Sequence, residues 1–173
     1  MDIYDELFCL PLEARSDANV TDKIILCPSI LSHIARESSE LSLITFLVQA
    51  REATLTVSVL EFSAEEGFCY LPAAMMDALS VKEMDTVSVR RCFLLPCVKL
   101  VLRPLDEDFL DLPDFRDILE EQLHKYSVIQ QGQIICVDHL DRTFALETVE
   151  LEPSPRATLI DTDIDLEFLV PEK

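Results

Sequence analysis

The chain has 173 residues, of which 33 are acidic and 14 basic, giving a formal charge of −19 at pH 7. Binding to nucleic acid depends on clusters of Lys and Arg that neutralise phosphates, and no three basic residues are adjacent here, so nucleic acid is an unfavourable partner. Hydrophobic residues make up 49% of the chain, enough apolar material for a folded core in spite of the charge. Only two glycines occur, which excludes the glycine-rich phosphate loops of nucleotide-binding enzymes.

The beginning of the chain and its cysteines suggest where the protein works. The first residues are acidic, and no apolar run approaches 18 residues, so we expect neither a secretory signal nor a membrane span. The six cysteines form no C-x-x-C pair and mostly occupy apolar strings. We therefore expect reduced, buried thiols and a cytoplasmic and nuclear location.

Residues 23–102 are predicted to be rich in β-strands. In residues 54–59 Thr and Ser alternate with Leu and Val, the period of two that is typical of a half-buried strand. Pro28 and Pro72 each precede a short helical pattern, because proline suits the first turn of a helix. The predicted strands of this part are 23–27, 41–50, 54–62, 68–71, 85–95 and 98–102. Together these elements predict a small β-barrel over residues 1–102.

A second unit is predicted for residues 103–173, because the character of the sequence changes at Arg103. A helix opening at Pro113 has one apolar stripe that runs from Phe115 to Tyr126. Three strands are predicted after it, at 133–137, 143–149 and 158–168. These elements predict a helix that packs on a small antiparallel sheet.

Residues 60–76, with the sequence LEFSAEEGFCYLPAAMM, resemble the signature of the ubiquitin fusion degradation protein 1 family. Further stretches agree with the resemblance in order and spacing. They are residues 23–25, Pro104, residues 108–111, 117–123 and 132–135. The resemblance extends from about residue 7 to residue 168, nearly the whole chain.

The resemblance implies a mainly β protein with an α+β part, a double-psi β-barrel followed by an α/β roll. It implies a non-catalytic adaptor, without cofactor or metal, that binds ubiquitin and polyubiquitin chains. The implied partners are a nuclear protein localization 4 subunit and the AAA ATPase valosin-containing protein, in endoplasmic-reticulum-associated and other proteasomal degradation. The Phe/Gly-rich motif with which the family docks on the ATPase does not occur in these 173 residues.

A ubiquitin-binding surface has a recognisable chemistry. The usual recognition face of ubiquitin is an apolar patch ringed by Lys and Arg, so a binder needs exposed aliphatic residues within an acidic rim. The acidic run at residues 106–108 lies at the predicted boundary, beside basic and apolar residues, and is our candidate interface. The candidate protein-binding residues are Lys99, Arg103, Leu105, Asp106, Glu107, Asp108 and Phe109.

Alternative chemistry receives weaker support from the sequence. Cys69 could be a nucleophile with His124 or His139 as base, but no basic neighbour lowers its pKa, which favours a buried structural thiol over a hydrolase. The string Asp161-Thr162-Asp163 lacks the glycine and the second copy that an aspartic protease on a double-psi barrel would need.

Two further alternatives concern the late acids and the partner. Asp161, Asp163, Asp165 and Glu172 have the spacing of a calcium loop, but Leu166 stands where the turn needs glycine, and the alternation with apolar residues favours an edge strand. A structural or partner-docking module of the same fold, without ubiquitin binding, is the rival to the adaptor hypothesis.

Overall fold

A computed structural model describes residues 3–15, 22–37, 44–160 and 162–171. The chain divides into two compact units, Met1–Phe93 and Leu94–Lys173. No helix among the described residues has the length and apolar character needed to cross a membrane.

The first unit contains six strands and two α-helices in its described part. In chain order they are β1 (Ile3–Pro11), β2 (Lys23–Leu26), α1 (Pro28–Glu37), β3 (Thr45–Ala50), β4 (Ala53–Phe62), β5 (Phe68–Leu71), α2 (Ala73–Leu79) and β6 (Thr86–Cys92). The strands close into a barrel in the order β1-β5-β2-β4-β3-β6. Strands β1 and β5 pair in parallel, as do β2 and β4. The predicted double-psi β-barrel is confirmed.

Local patterns account for most elements of the barrel. Strands β3 and β4 form the predicted hairpin, in which Ala50 pairs with Ala53 across the turn and Arg51 adopts a positive φ of 56°. Both predicted short helices are present, and the Met75, Met76 and Leu79 side chains of α2 belong to the barrel core. Residues 41–43 of the predicted third strand lie outside the described residues. Strand β1 was not predicted, because its acidic residues obscure the alternation.

The second unit consists of a sheet, a small strand pair and one α-helix in its described part. In chain order they are β7 (Lys99–Pro104), a 3-10 turn (Glu107–Phe109), α3 (Phe115–Leu123), β8 (Val128–Gln130), β9 (Ile134–His139), β10 (Arg142–Glu152), β11 (Arg156–Thr158) and β12 (Asp165–Phe168). The four-stranded sheet has the order β12-β7-β10-β9, and β11 pairs with β8. This helix on a mostly antiparallel sheet confirms the predicted α/β part of the fold.

Two strand assignments made from the sequence are wrong. The strand predicted at 98–102 is β7, and it belongs to the second unit because it pairs with β10 and β12. The two compact units divide after Phe93, whereas the change in sequence character predicts a boundary at Arg103. The strand predicted at 158–168 includes only Thr158, the last residue of β11, and the whole of β12, and these two strands pair with different neighbours. Apolar alternation identifies strands but does not identify the strands with which they pair.

The second unit has its own hydrophobic core beneath the sheet. Leu119 and Leu123 of α3 are buried there, on the predicted apolar stripe. Phe109 is fully buried and lies against the rings of Phe115 and Phe144, with centroids 5.8 and 5.5 Å away. The sheet therefore has one face in the core and leaves its other face for solvent or a partner.

Candidate functional site

The predicted binding residues lie along β7, in the 3-10 turn that follows it and at the two positions between them. Lys99 Nζ lies 3.1 Å from a carboxylate oxygen of Glu167 on β12, and this carboxylate raises the pKa of Lys99. Arg103 Nη1 lies 3.4 Å from a carboxylate oxygen of Glu147 on β10. Both cations therefore stabilise pairing between strands.

Phe109 differs from the other predicted residues because its side chain is fully buried. Its side chain is inaccessible to a binding partner. Its place in the core holds the 3-10 turn against the sheet, and the acidic residues before it stay at the surface.

Asp106 and Asp108 form a cluster with Arg142, which the sequence analysis did not single out. Arg142 donates from Nη1 to Asp108 at 2.9 Å and from Nη2 to Asp106. The hydrogen bond with Asp108 and the charge of Asp106 raise the pKa of Arg142. The guanidinium also lies over the ring of Phe144, 4.6 Å from its centroid. The acidic run is therefore a fixed part of the second unit and not a linker.

Asp106 also supports the turn itself. Its side chain accepts a hydrogen bond from the backbone N–H of Asp108 at 2.9 Å, as the capping residue of the 3-10 turn. Leu105 stands immediately before this cap, and its side chain is 56% exposed. The cluster thus presents an aliphatic side chain beside fixed carboxylates.

The signal that could have identified Arg142 lies in its neighbours. Arg142 follows the acidic turn at 138–141, where a single cation in an acidic stretch is a candidate partner for carboxylates elsewhere. Its distance of more than thirty residues from Asp106 in the chain prevents the pairing from being read locally.

The structure also places the residues considered for other chemistry. Cys69 is fully buried, and burial raises its pKa, with further contributions from the Cys9 and Cys27 thiols. Cys69 belongs to the first unit, whereas His124 and His139 belong to the second. A thiol with a raised pKa is a poor nucleophile, which agrees with the structural interpretation.

The acids with calcium-loop spacing, Asp161, Asp163, Asp165 and Glu172, lie near the end of the sequence. Asp165 is the first residue of β12, whose side chains alternate between exposed and buried, as an edge strand requires. Asp161 and Glu172 lie outside the described residues. Among the described side chains, no group of three or more His, Cys, Asp or Glu is placed to hold a metal ion.

Comparison with known proteins gives matches over nearly the whole chain. The family model "Ubiquitin fusion degradation protein UFD1, N-terminal subdomain 1" matches residues 3–95, and "N-terminal subdomain 2" of the same protein matches residues 97–171. The boundary between the two family models, at residues 95–97, lies within a few residues of the division between the compact units.

Individual relatives agree with the family models. A human protein named "Ubiquitin recognition factor in ER-associated degradation protein 1" is 30% identical over 158 residues, covering 91% of this chain and 52% of the human protein. "Ubiquitin fusion degradation protein 1" of Schizosaccharomyces pombe is 31% identical over 163 residues, covering 92% and 48%. The Saccharomyces cerevisiae protein of the same name is 30% identical over 180 residues, covering 97% and 50%. The chain spans about half the length of these relatives.

Proposed function

Because the chain belongs to the ubiquitin fusion degradation protein 1 family, we propose that it is a non-catalytic adaptor domain that binds polyubiquitin. The observation that carries the proposal is the match of both subdomain models, in order, over residues 3–95 and 97–171. The name of the human relative, a ubiquitin recognition factor, supports the same function.

The physical character of the surface supports this proposal. The chain carries a net charge of −19, and ubiquitin's usual recognition face is ringed by Lys and Arg. Opposite charges raise the association rate, while apolar contacts set how long the complex persists. Leu105 beside Asp106 and Asp108 supplies both kinds of contact.

The wider role follows from the family and is part of the proposal. We assign the domain to the delivery of ubiquitylated proteins to the valosin-containing protein ATPase, together with a nuclear protein localization 4 subunit. The setting is proteasomal degradation, including that of endoplasmic reticulum proteins, in the cytoplasm and nucleus. The buried Cys69 thiol supports an adaptor without catalytic chemistry.

The test is a titration of the fluorescently labelled chain with monoubiquitin and with tetraubiquitin at low and high salt. A single contact of this kind is weak, and one site gains only a statistical factor of about four from tetraubiquitin; a chain that holds two ubiquitins of one polymer at once gains about 10²-fold or more by avidity. Both affinities fall as salt is raised. If neither form binds at either salt concentration, the adaptor proposal fails and the partner-docking module without ubiquitin binding takes its place.

A further inference from the structure

The solvent face of the four-stranded sheet in the second unit carries a row of apolar residues. The Leu105 N–H donates to the carbonyl of Ala145 at 2.9 Å, which continues the β7–β10 ladder by one residue. Ala145 in turn pairs with Cys136 of β9. Residues directly opposite one another in adjacent antiparallel strands point to the same face, so Leu105, Ala145 and Cys136 lie side by side.

This row points away from the core. The next row of paired residues is buried and consists of Pro104, Leu146 and Ile135. Because successive residues of a strand point to opposite faces, the row that contains Leu105 points to the other side of the sheet. Leu105 is 56% exposed and the Cys136 thiol is exposed. Ile134, two residues from Cys136 on the same face, is 46% exposed. We call these four residues, Leu105, Ala145, Cys136 and Ile134, the Leu105 face.

Acidic groups flank the Leu105 face. On this face the charged residues next to the row are Asp138 of β9, Glu147 of β10 and Arg103 of β7. Asp106, Asp108 and Arg142 lie at the end of the sheet toward its core side, because Arg142 is two residues from the buried Phe144 and lies over its ring. Both arginines are engaged within the unit, Arg103 with Glu147 and Arg142 with Asp106 and Asp108. The rim therefore presents a net negative charge to an approaching protein.

We infer that the Leu105 face is the surface on which this unit docks the apolar, Lys- and Arg-ringed face of ubiquitin. The inference rests on the proposed function and assigns that function to named residues. The apolar row of this chain would contact the apolar patch of ubiquitin, and its carboxylates would contact the Lys and Arg residues that surround that patch. A second copy of this chain would bring two acidic rims together, and this repulsion makes it the less suitable occupant.

The first experiment compares two matched variants of the full chain. Leu105→Asp places a charge in the Leu105 face. Val98→Asp makes the same kind of change at an equally exposed position, also 56% exposed. Val98 lies seven residues earlier, about 23 Å away along the strand direction. We expect Leu105→Asp to weaken tetraubiquitin binding by at least about five-fold and Val98→Asp to change it by less than about two-fold.

The second experiment needs no substitution, because Cys136 is a reporter within the face. Four of the other thiols, those of Cys9, Cys27, Cys69 and Cys97, are buried and that of Cys92 is half-buried, so the exposed Cys136 is expected to react first with a maleimide. Saturating tetraubiquitin slows the alkylation of Cys136, measured by mass spectrometry of its peptide, if the Leu105 face is covered. The same measurement without ubiquitin gives the reference rate.

The outcomes separate the inference from the proposed function. If the wild-type chain does not bind tetraubiquitin, the proposed function fails and the docking face fails with it. If the wild type binds, but Leu105→Asp binds equally well or Cys136 is not protected, the adaptor proposal stands and the Leu105 face is overturned. Equal losses in Leu105→Asp and Val98→Asp also overturn it.

Discussion

Arg15, Glu65 and Tyr70 form a hydrogen-bonded network within the first unit. Arg15 Nη1 donates to Glu65 at 2.9 Å, and the Tyr70 hydroxyl donates to the other Glu65 oxygen at 2.8 Å. Arg15 also donates to the Ser63 carbonyl and lies over the Tyr70 ring, 5.0 Å from its centroid. The network links the segment after β1 to residues 60–76, so Glu65 of that signature has a structural role.

The titration of Glu65 predicts how the stability of the fold depends on pH. A hydrogen bond from its own backbone N–H, one from Tyr70, and the charge of Arg15 lower the pKa of Glu65. A carboxyl with a lowered pKa in the folded state stabilises the fold above its unfolded pKa of about 4.3, and this contribution is lost as pH falls through the folded pKa. We expect Glu65→Gln to reduce the free energy of unfolding at pH 7 and to flatten its fall in acid.

Urea titrations from pH 7 to pH 2.5 measure this effect. The variant and the wild type should converge at the acid end, where Glu65 is protonated in both the folded and unfolded states. A constant difference over the whole range would mean that the charge of Glu65 does not contribute.

At the scale of elements, the short helix α2 depends on a contact from elsewhere in the chain. Its N-terminal flanking residue, Pro72, provides no side-chain hydrogen bond. The Glu13 carboxylate instead accepts from the backbone N–H of Ala73 at 3.0 and 3.3 Å. Since the first N–H groups of a helix have no partner within it, Glu13 serves as a cap from a distant segment.

Removing this cap should destabilise the first unit. We expect Glu13→Ala to lower the free energy of unfolding by about 1 kcal/mol, as the loss of a helix cap does. Glu13→Gln is the matched variant, because it retains a side-chain oxygen as acceptor and loses only the charge beside the helix dipole. Urea denaturation should give the wild type the largest free energy of unfolding, Glu13→Gln an intermediate value and Glu13→Ala the smallest. Equal stability of all three proteins would mean that Glu13 does not cap α2.

At the scale of the whole molecule, charge is the dominant feature. A net charge of −19 on 173 residues makes the folded chain repel itself. Exposed ion pairs of the kind formed by Lys99 or Arg142 contribute little to offset this, because solvent screens them. Added salt therefore screens more repulsion between like charges of the folded chain than attraction between its ion pairs.

Salt should consequently have opposite effects on folding and on binding. As NaCl rises from about 0.01 to 0.15 M the Debye length falls from about 30 to 8 Å. We expect the thermal midpoint Tm to rise over this range while the affinity for tetraubiquitin falls. Calorimetry at pH 7, with a control near the pI of 4.3 where net charge is small, measures the first effect. A Tm that falls with salt at pH 7 would contradict the prediction.

The sequence was sufficient where structure depends on neighbouring residues. The proline-led starts of α1 and α2, the apolar stripe of α3 and the β3–β4 hairpin follow from spacing within a few residues, and all are present in the structure. The resemblance carried by residues 60–76 added the double-psi β-barrel fold, which spacing alone does not contain.

Only the tertiary structure decided which strands pair and which residues meet at the candidate site. Strand β7 has the same apolar pattern as the barrel strands, and its hydrogen bonds to β10 and β12 place it in the second unit. Ile134 and Ile135 are equally apolar in sequence, yet the register of β9 exposes the first and buries the second. The sequence determined most of the helices and strands, because backbone conformation follows local spacing. The tertiary structure decided which residues form the Leu105 face and the Arg142 cluster, because strand register joins residues that are distant in the chain.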